Sequence, residues 1–180
     1  MAVMDQAHAA LGLDVDAGLE KQVTRFLTLE ARLLDDRRFS DWVSLYAEDA
    51  VYWAPVDPSM QTPADGPSHF HDDIQIMKAR VHRLENPRVF APEPNPRTAR
   101  LVGNPIIEAL DETSGEIVAA STLMVIEYRE RDRFEDDQRM FGGRVTHTLR
   151  PHEQTGFRIV RKRIDLINAA SAFNAIAIPF

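Results

Sequence analysis

His147 is the residue in this chain best placed to do chemistry. It alternates with Phe141, Val145 and Leu149, so on a strand it points to the same side as three apolar side chains. An imidazole held in such surroundings can act as a general base or proton shuttle. Tyr52, Asp49 and Asp165 are its candidate partners. The plainer reading is a core histidine hydrogen-bonded to backbone or water. His69 and His71 come next. Two residues apart on an extended segment, they face one way and could hold a divalent cation with a third ligand from elsewhere. The plainer account is that His71 or Asp72 caps the adjoining helix. No segment combines two His and a carboxylate at helical spacing, as a facial iron site would require.

Other chemistries find less support. Ser40 and Ser44 sit where helices start, without a Gly-x-Ser-x-Gly elbow, and read as caps or surface. There is no Gly-x-Gly-x-x-Gly or Walker loop. Gly142-Gly143 lies inside a strand-like run and predicts a bulge or sharp bend. In the basic run, simple alternation puts Arg161 and Arg163 on one face and Arg158 and Lys162 on the other. Ion pairs within a sheet or across a subunit boundary suit these arginines. The chain has no cysteine, which excludes thiolate nucleophiles, disulfides and Cys-held clusters within it. A net charge of −7 disfavours nucleic acid and anionic membranes as partners.

The elements that must position these groups are set by periodicity. Residues 1–15 read as a loose N-terminal arm, and residues 16–180 as one α+β domain. Asp16 caps a helix whose Leu19, Val23, Phe26, Leu27 and Leu34 form one stripe. Asp35 to Arg38 end it. Ser40 is expected to cap a short second helix with Trp42, Leu45 and Tyr46 on one face, and a strand from Val51 to Val56 comes after it. Residues 59–70 read as irregular loop. Asp72 or Asp73 opens a third helix carrying Ile74, Met77, Val81 and Leu84. Pro87, Pro92, Pro94 and Pro96 make an extended connection. Four strands are then expected, Thr98 to Leu110, Glu116 to Arg129, Arg139 to Arg150 and Phe157 to Asn168, in an antiparallel meander. The apolar tail from Ala169 to Phe180 is expected to dock on its own subunit or a neighbour. No run of apolar residues is long enough for a membrane span. Met1 to Leu13 has no Lys or Arg ahead of its apolar residues, so a cytoplasmic protein without a secretory signal is expected.

The stretch from Phe26 to Trp53 resembles the opening of the small, or β, subunit of aromatic-ring-hydroxylating dioxygenases. Glu30, Ala31, Arg32, Leu33, Leu34, Asp35, Trp42, Tyr52, Trp53 and Pro55 carry the likeness. Arg97-Thr98, Leu101-Val102 and Asn104 form a second match, with Arg100 where family members often place a His. Arg163-Ile164-Asp165-Leu166 and the aromatic Phe180 form a third. The resemblance implies a cone-shaped α+β fold like that of nuclear transport factor 2, a curved, mostly antiparallel sheet around a helical layer. It implies an α subunit as partner, bearing a Rieske cluster and mononuclear iron, and three β subunits beneath three α in an NADH-dependent oxidoreductase. It assigns no catalytic, cofactor or metal residue to this chain, whose role would be structural. Arg97, Arg100, Arg161, Arg163 and Phe180 are then the candidate subunit contacts. The rival expectation is a stand-alone cone-fold isomerase, dehydratase or hydrolase using His147 with Tyr52 or Asp49 on a small apolar ligand. A third is a binding module with an occupied cone.

Overall fold

The computed structural model describes residues 16–86, 95–130, 137–171, 176 and 178–180. The N-terminal arm, most of the proline-rich connection and the turn after Glu130 lie outside these residues.

Helix α1 spans Ala17–Asp35, and the Asp16 carboxylate accepts the Leu19 N–H at 3.2 Å as its N-cap. Its buried stripe includes the expected Val23, Phe26, Leu27 and Leu34. The helix closes with Arg38 N–H on the Leu33 carbonyl (2.8 Å) and Arg37 in the left-handed region at φ 57°. Helix α2 is Phe39–Val43. Here the reading of Ser40 as its cap is corrected: Ser40 lies inside the helix, and Arg38 occupies the cap position without a side-chain bond. Glu85, from another helix, does the capping instead, accepting the Ser40 N–H at 2.9 Å and its hydroxyl at 2.8 Å. Sequence spacing carries no trace of a cap supplied across the fold.

Strand β1 runs Tyr46–Pro55, so Tyr46 belongs to it rather than to α2. Strand β2, Ser68–Asp73, takes up part of the segment read as loop. Helix α3, Ile74–Glu85, is capped by Asp73, which accepts the Gln75 and Ile76 N–H groups at 2.9 and 2.8 Å. Asp72 instead makes a two-pronged pair with Arg80, at 2.7 and 2.9 Å. The expected long strands are β3 (Arg97–Leu110), β4 (Ile117–Arg129), β5 (Asp137–His152) and β6 (Gly156–Leu166).

These form one six-stranded sheet in the order β2-β1-β6-β5-β4-β3. The meander from β3 to β6 is antiparallel, while β1 lies parallel to β6 and makes the sheet mixed. The helices cover the inner face, and the core forms between them and residues such as Leu123, Val125, Phe141, Val145 and Leu149.

Strand register decides which side chains reach that core. Thr148 pairs with Arg161 but Leu149 with Ile159, so Val160 is an extra residue in β6. This bulge reverses the alternation: Phe157 and Ile159 point inward before it, and Lys162, Ile164 and Leu166 after it. Lys162 therefore does not share a face with Arg158, as simple alternation implied. The Gly142-Gly143 pair, by contrast, is no bulge towards β4, since Met124 faces Gly142 and Leu123 faces Gly143 in unbroken register. Gly143 is there because β6 passes too close for a side chain. A Cβ on it would stand 2.4 Å from the Asp165 carbonyl oxygen.

Candidate functional site

The inner face holds a buried polar cluster centred on Glu30. On α1 this residue continues the apolar stripe, three residues after Leu27 and four before Leu34. Its side chain is 4% exposed. One carboxylate oxygen, Oε1, accepts from Lys162 Nζ (2.8 Å), Trp42 Nε1 (3.0 Å) and Tyr46 OH (3.1 Å). The other, Oε2, meets His147 Nε2 at 3.0 Å. The bulge in β6 delivers Lys162, and the expected alternation in β5 delivers His147. Burial alone would raise the Glu30 pKa, but the Lys162 ammonium and then His147 hold it well below the usual carboxylate range. Burial lowers Lys162 and His147, with Glu30 opposing the shift in both. An ionised Glu30 has only acceptors to offer, so His147 carries its proton on Nε2.

Phe180 closes the cluster from the far end of the chain. Its ring is fully buried, edge-on to Phe141 (centroids 5.2 Å apart) and Phe70 (5.8 Å). Its N–H donates to Tyr52 OH at 2.7 Å, and its carbonyl accepts from Lys162 Nζ at 2.7 Å. Arg100 Nη2 holds the Pro179 carbonyl at 2.6 Å, and Arg100 is itself paired with Asp35. The tail is thus docked on its own chain at these residues.

The expected partners of His147 are placed elsewhere. Asp49 is solvent-exposed and pairs with Arg150 at 3.1 Å, because its position on β1 faces away from the core. Asp165 pairs with Arg163 at 2.8 Å. Tyr52 is buried near the cluster but its hydroxyl is committed to Phe180, and burial raises its pKa. The remaining ring nitrogen of His147, Nδ1, is buried without a hydrogen-bond partner, and His147 lines a hollow of about 10 Å³, room for a single water. A substrate does not fit there in this conformation. A larger hollow of about 490 Å³ lies between α2, α3 and β1, lined by Ser44, Lys78, His82 and Arg158 among others. Of the three candidate catalytic residues, none lines it.

His69 and His71 share the outer face of β2, as expected, but His69 Nε2 donates to the Ala169 carbonyl at 2.8 Å. Among the described residues no group of three or more His, Asp or Glu is placed to hold a metal ion. Among the candidate subunit contacts, Arg100 and Phe180 turn inward, the Arg100 side chain 1% exposed and Phe180 0%. Arg161 and Arg163 lie on the outer face, their guanidiniums 5.4 and 4.7 Å from the Trp53 ring. Arg97 is exposed on the outer face of β3, its guanidinium 5.2 Å from the Tyr128 ring.

The residues that sequence reasoning missed are Glu30 and Lys162. A carboxylate inside an otherwise apolar stripe was the available signal for the first. The second was hidden by the bulge.

Comparison with known proteins then bears on what this arrangement serves. The family model described as "Ring hydroxylating beta subunit" matches residues 29–171. The chain is 33% identical over 155 residues to the benzene 1,2-dioxygenase subunit beta of Pseudomonas putida, covering 81% of this chain and 80% of that one. The crystal structure of the benzoate 1,2-dioxygenase beta subunit from Burkholderia mallei superposes with a TM-score of 0.67 at 24% identity, over 87% of this chain and 93% of that one. A structure of naphthalene 1,2-dioxygenase with indole in its active site gives 0.73 at 19% identity, over 91% and 86%. The last two likenesses concern the fold, which is α+β as expected. Among the described residues no helix is long and apolar enough to cross a membrane.

Proposed function

This chain belongs to the ring-hydroxylating β-subunit family, and from that premise we propose that it is the non-catalytic β subunit of a multicomponent aromatic-ring dioxygenase. The family match over residues 29–171 carries the reading. In it, a companion α subunit bears the Rieske cluster, the mononuclear iron and the substrate pocket, with electrons arriving from NADH through separate carriers. The absence of cysteine supports that division of labour, since Rieske ligation needs two thiolates. Three copies of this chain join three α subunits.

The buried cluster supports a structural role. Both oxygens of Glu30 are engaged by this chain's own groups, and the hollow beside His147 has no room for an organic substrate. The outer face of the sheet supports association. Leu101, Met124, Ile126, Met140 and Ile167 are exposed there, with Leu101 opposite Met124 and Ile126 opposite Met140. Exposed apolar side chains grouped in this way mark contact surfaces. Arg97, Arg161 and Arg163 lie on the same outer face and are the subunit-contact candidates that remain; Arg100 and Phe180 serve their own chain.

Reconstitution tests the reading. The α subunit with this chain oxidises its aromatic substrate, the chain alone turns over nothing, and His147→Gln leaves the rate of the assembled enzyme within about twofold, a change of under ~0.5 kcal/mol in barrier. Intrinsic turnover by the lone chain, abolished by His147→Gln while the fold persists, would replace this reading with the stand-alone enzyme.

A further inference from the structure

Two residues of the small hollow each have a buried polar atom with no partner among the described protein groups: His147 Nδ1 and Arg100 Nε. Both residues line it, together with Glu30, Ser121, Lys162 and Phe180. The surroundings define the chemistry of an occupant. Glu30 is paired with Lys162, and Arg100 with Asp35, so these charged side chains already have partners of opposite sign and offer an ion no free counter-charge. Burial keeps His147 on the neutral side, and its proton sits on Nε2, towards the Glu30 carboxylate. Nδ1 is therefore a bare acceptor that needs a donor. Arg100 Nε carries an N–H that needs an acceptor. Buried groups of this kind are costly when left unmet. The hollow, about 10 Å³, accommodates one water-sized occupant. A neutral occupant of one heavy atom that donates and accepts at once is water.

We propose that this hollow is an internal hydration site, in which one water accepts from Arg100 Nε–H and donates to His147 Nδ1, with the Ser121 hydroxyl lining the same space. The water joins two networks that otherwise touch the tail separately. Arg100 holds the Pro179 carbonyl and Lys162 the Phe180 carbonyl. Linked through the water, the Asp35–Arg100 pair and the Glu30–His147–Lys162 cluster form one connected support beneath Phe180.

A crystal structure of the full chain at a resolution that shows ordered solvent, read beside the ¹⁵N NMR signals of His147, tests this. The expected result is a solvent peak within hydrogen-bond reach of both nitrogens, with Nδ1 unprotonated and hydrogen-bonded. Arg100→Lys keeps the positive charge but removes the Nε–H. In that variant the peak is lost or displaced and the Nδ1 signal moves towards that of a free acceptor. A dry hollow, a proton found on Nδ1, or a water undisturbed by Arg100→Lys would each overturn the proposal. Should Arg100→Lys fail to fold, the wild-type density and the His147 tautomer decide the matter alone.

Discussion

Glu30 is the residue on which most of the interior depends. It is a charge taken out of water and compensated by four donors, and such a group is strongly destabilising when one side is removed alone. Glu30→Gln takes from the buried Lys162 its carboxylate partner, and urea unfolding is expected to show a loss of about 3–5 kcal/mol. Replacing Glu30 and Lys162 together by apolar residues of similar volume should cost far less than the sum of the two single changes. The same cluster sets a pH dependence. Both His147 and Glu30 have pKa values below their ordinary ones, so the unfolded chain binds protons that the folded chain does not. The stability they contribute is complete above about pH 6.5, falls first as His147 would protonate, and falls again below about pH 4.3 as Glu30 would. Denaturation midpoints should hold steady from pH 8 to about pH 6.5 and decline from there to about pH 4. A midpoint that rises on acidification would contradict the assignment. His147 was legible in the sequence because period-two alternation survives intact along that part of β5. Its partner was not, because Glu30 lies on α1, 117 residues away along the chain, and meets His147 only in the folded structure.

At the scale of elements, the periodic signals match the fold and the exceptions have physical causes. The α1 stripe, the third helix and the four long strands are readable from spacing alone, since each buries one face. The cap of α2 is not, because Glu85 arrives from α3. Lys162 was misplaced because one extra residue in β6 inverts every side chain beyond it. The two neighbouring glycines separate these effects experimentally. Gly143→Ala drives a Cβ to within 2.4 Å of the Asp165 carbonyl and should cost about 1–3 kcal/mol through forced backbone shifts. Gly142→Ala meets only Ile167 Cδ1 at 3.7 Å, an ordinary contact, and should change stability by no more than about 0.5 kcal/mol. Equal effects on the thermal midpoint would show that β6 does not approach β5 as described. Asp73→Ala removes the α3 cap and should cost about 1 kcal/mol by the same measurement.

The whole molecule presents a filled interior and an incompletely covered exterior. The space between the sheet and α1 is occupied by Phe180, its aromatic neighbours and the ionic cluster of Glu30, His147 and Lys162. Leu29 and Ile76 apart, which lie on the helices, the exposed large apolar side chains among the described residues group outside the sheet, along β3, β4 and β5 and at Ile167. Introducing charge there, as in Leu101→Glu or Met140→Glu, should leave the unfolding midpoint of the isolated chain nearly unchanged, within about 0.5 kcal/mol, while lowering its mass in solution. Native mass measurement of this chain produced together with its α subunit tests its role as an assembly subunit. Three copies of each in one particle is the expected result. An α subunit that assembles and turns over without this chain, leaving it free in solution, would contradict the account.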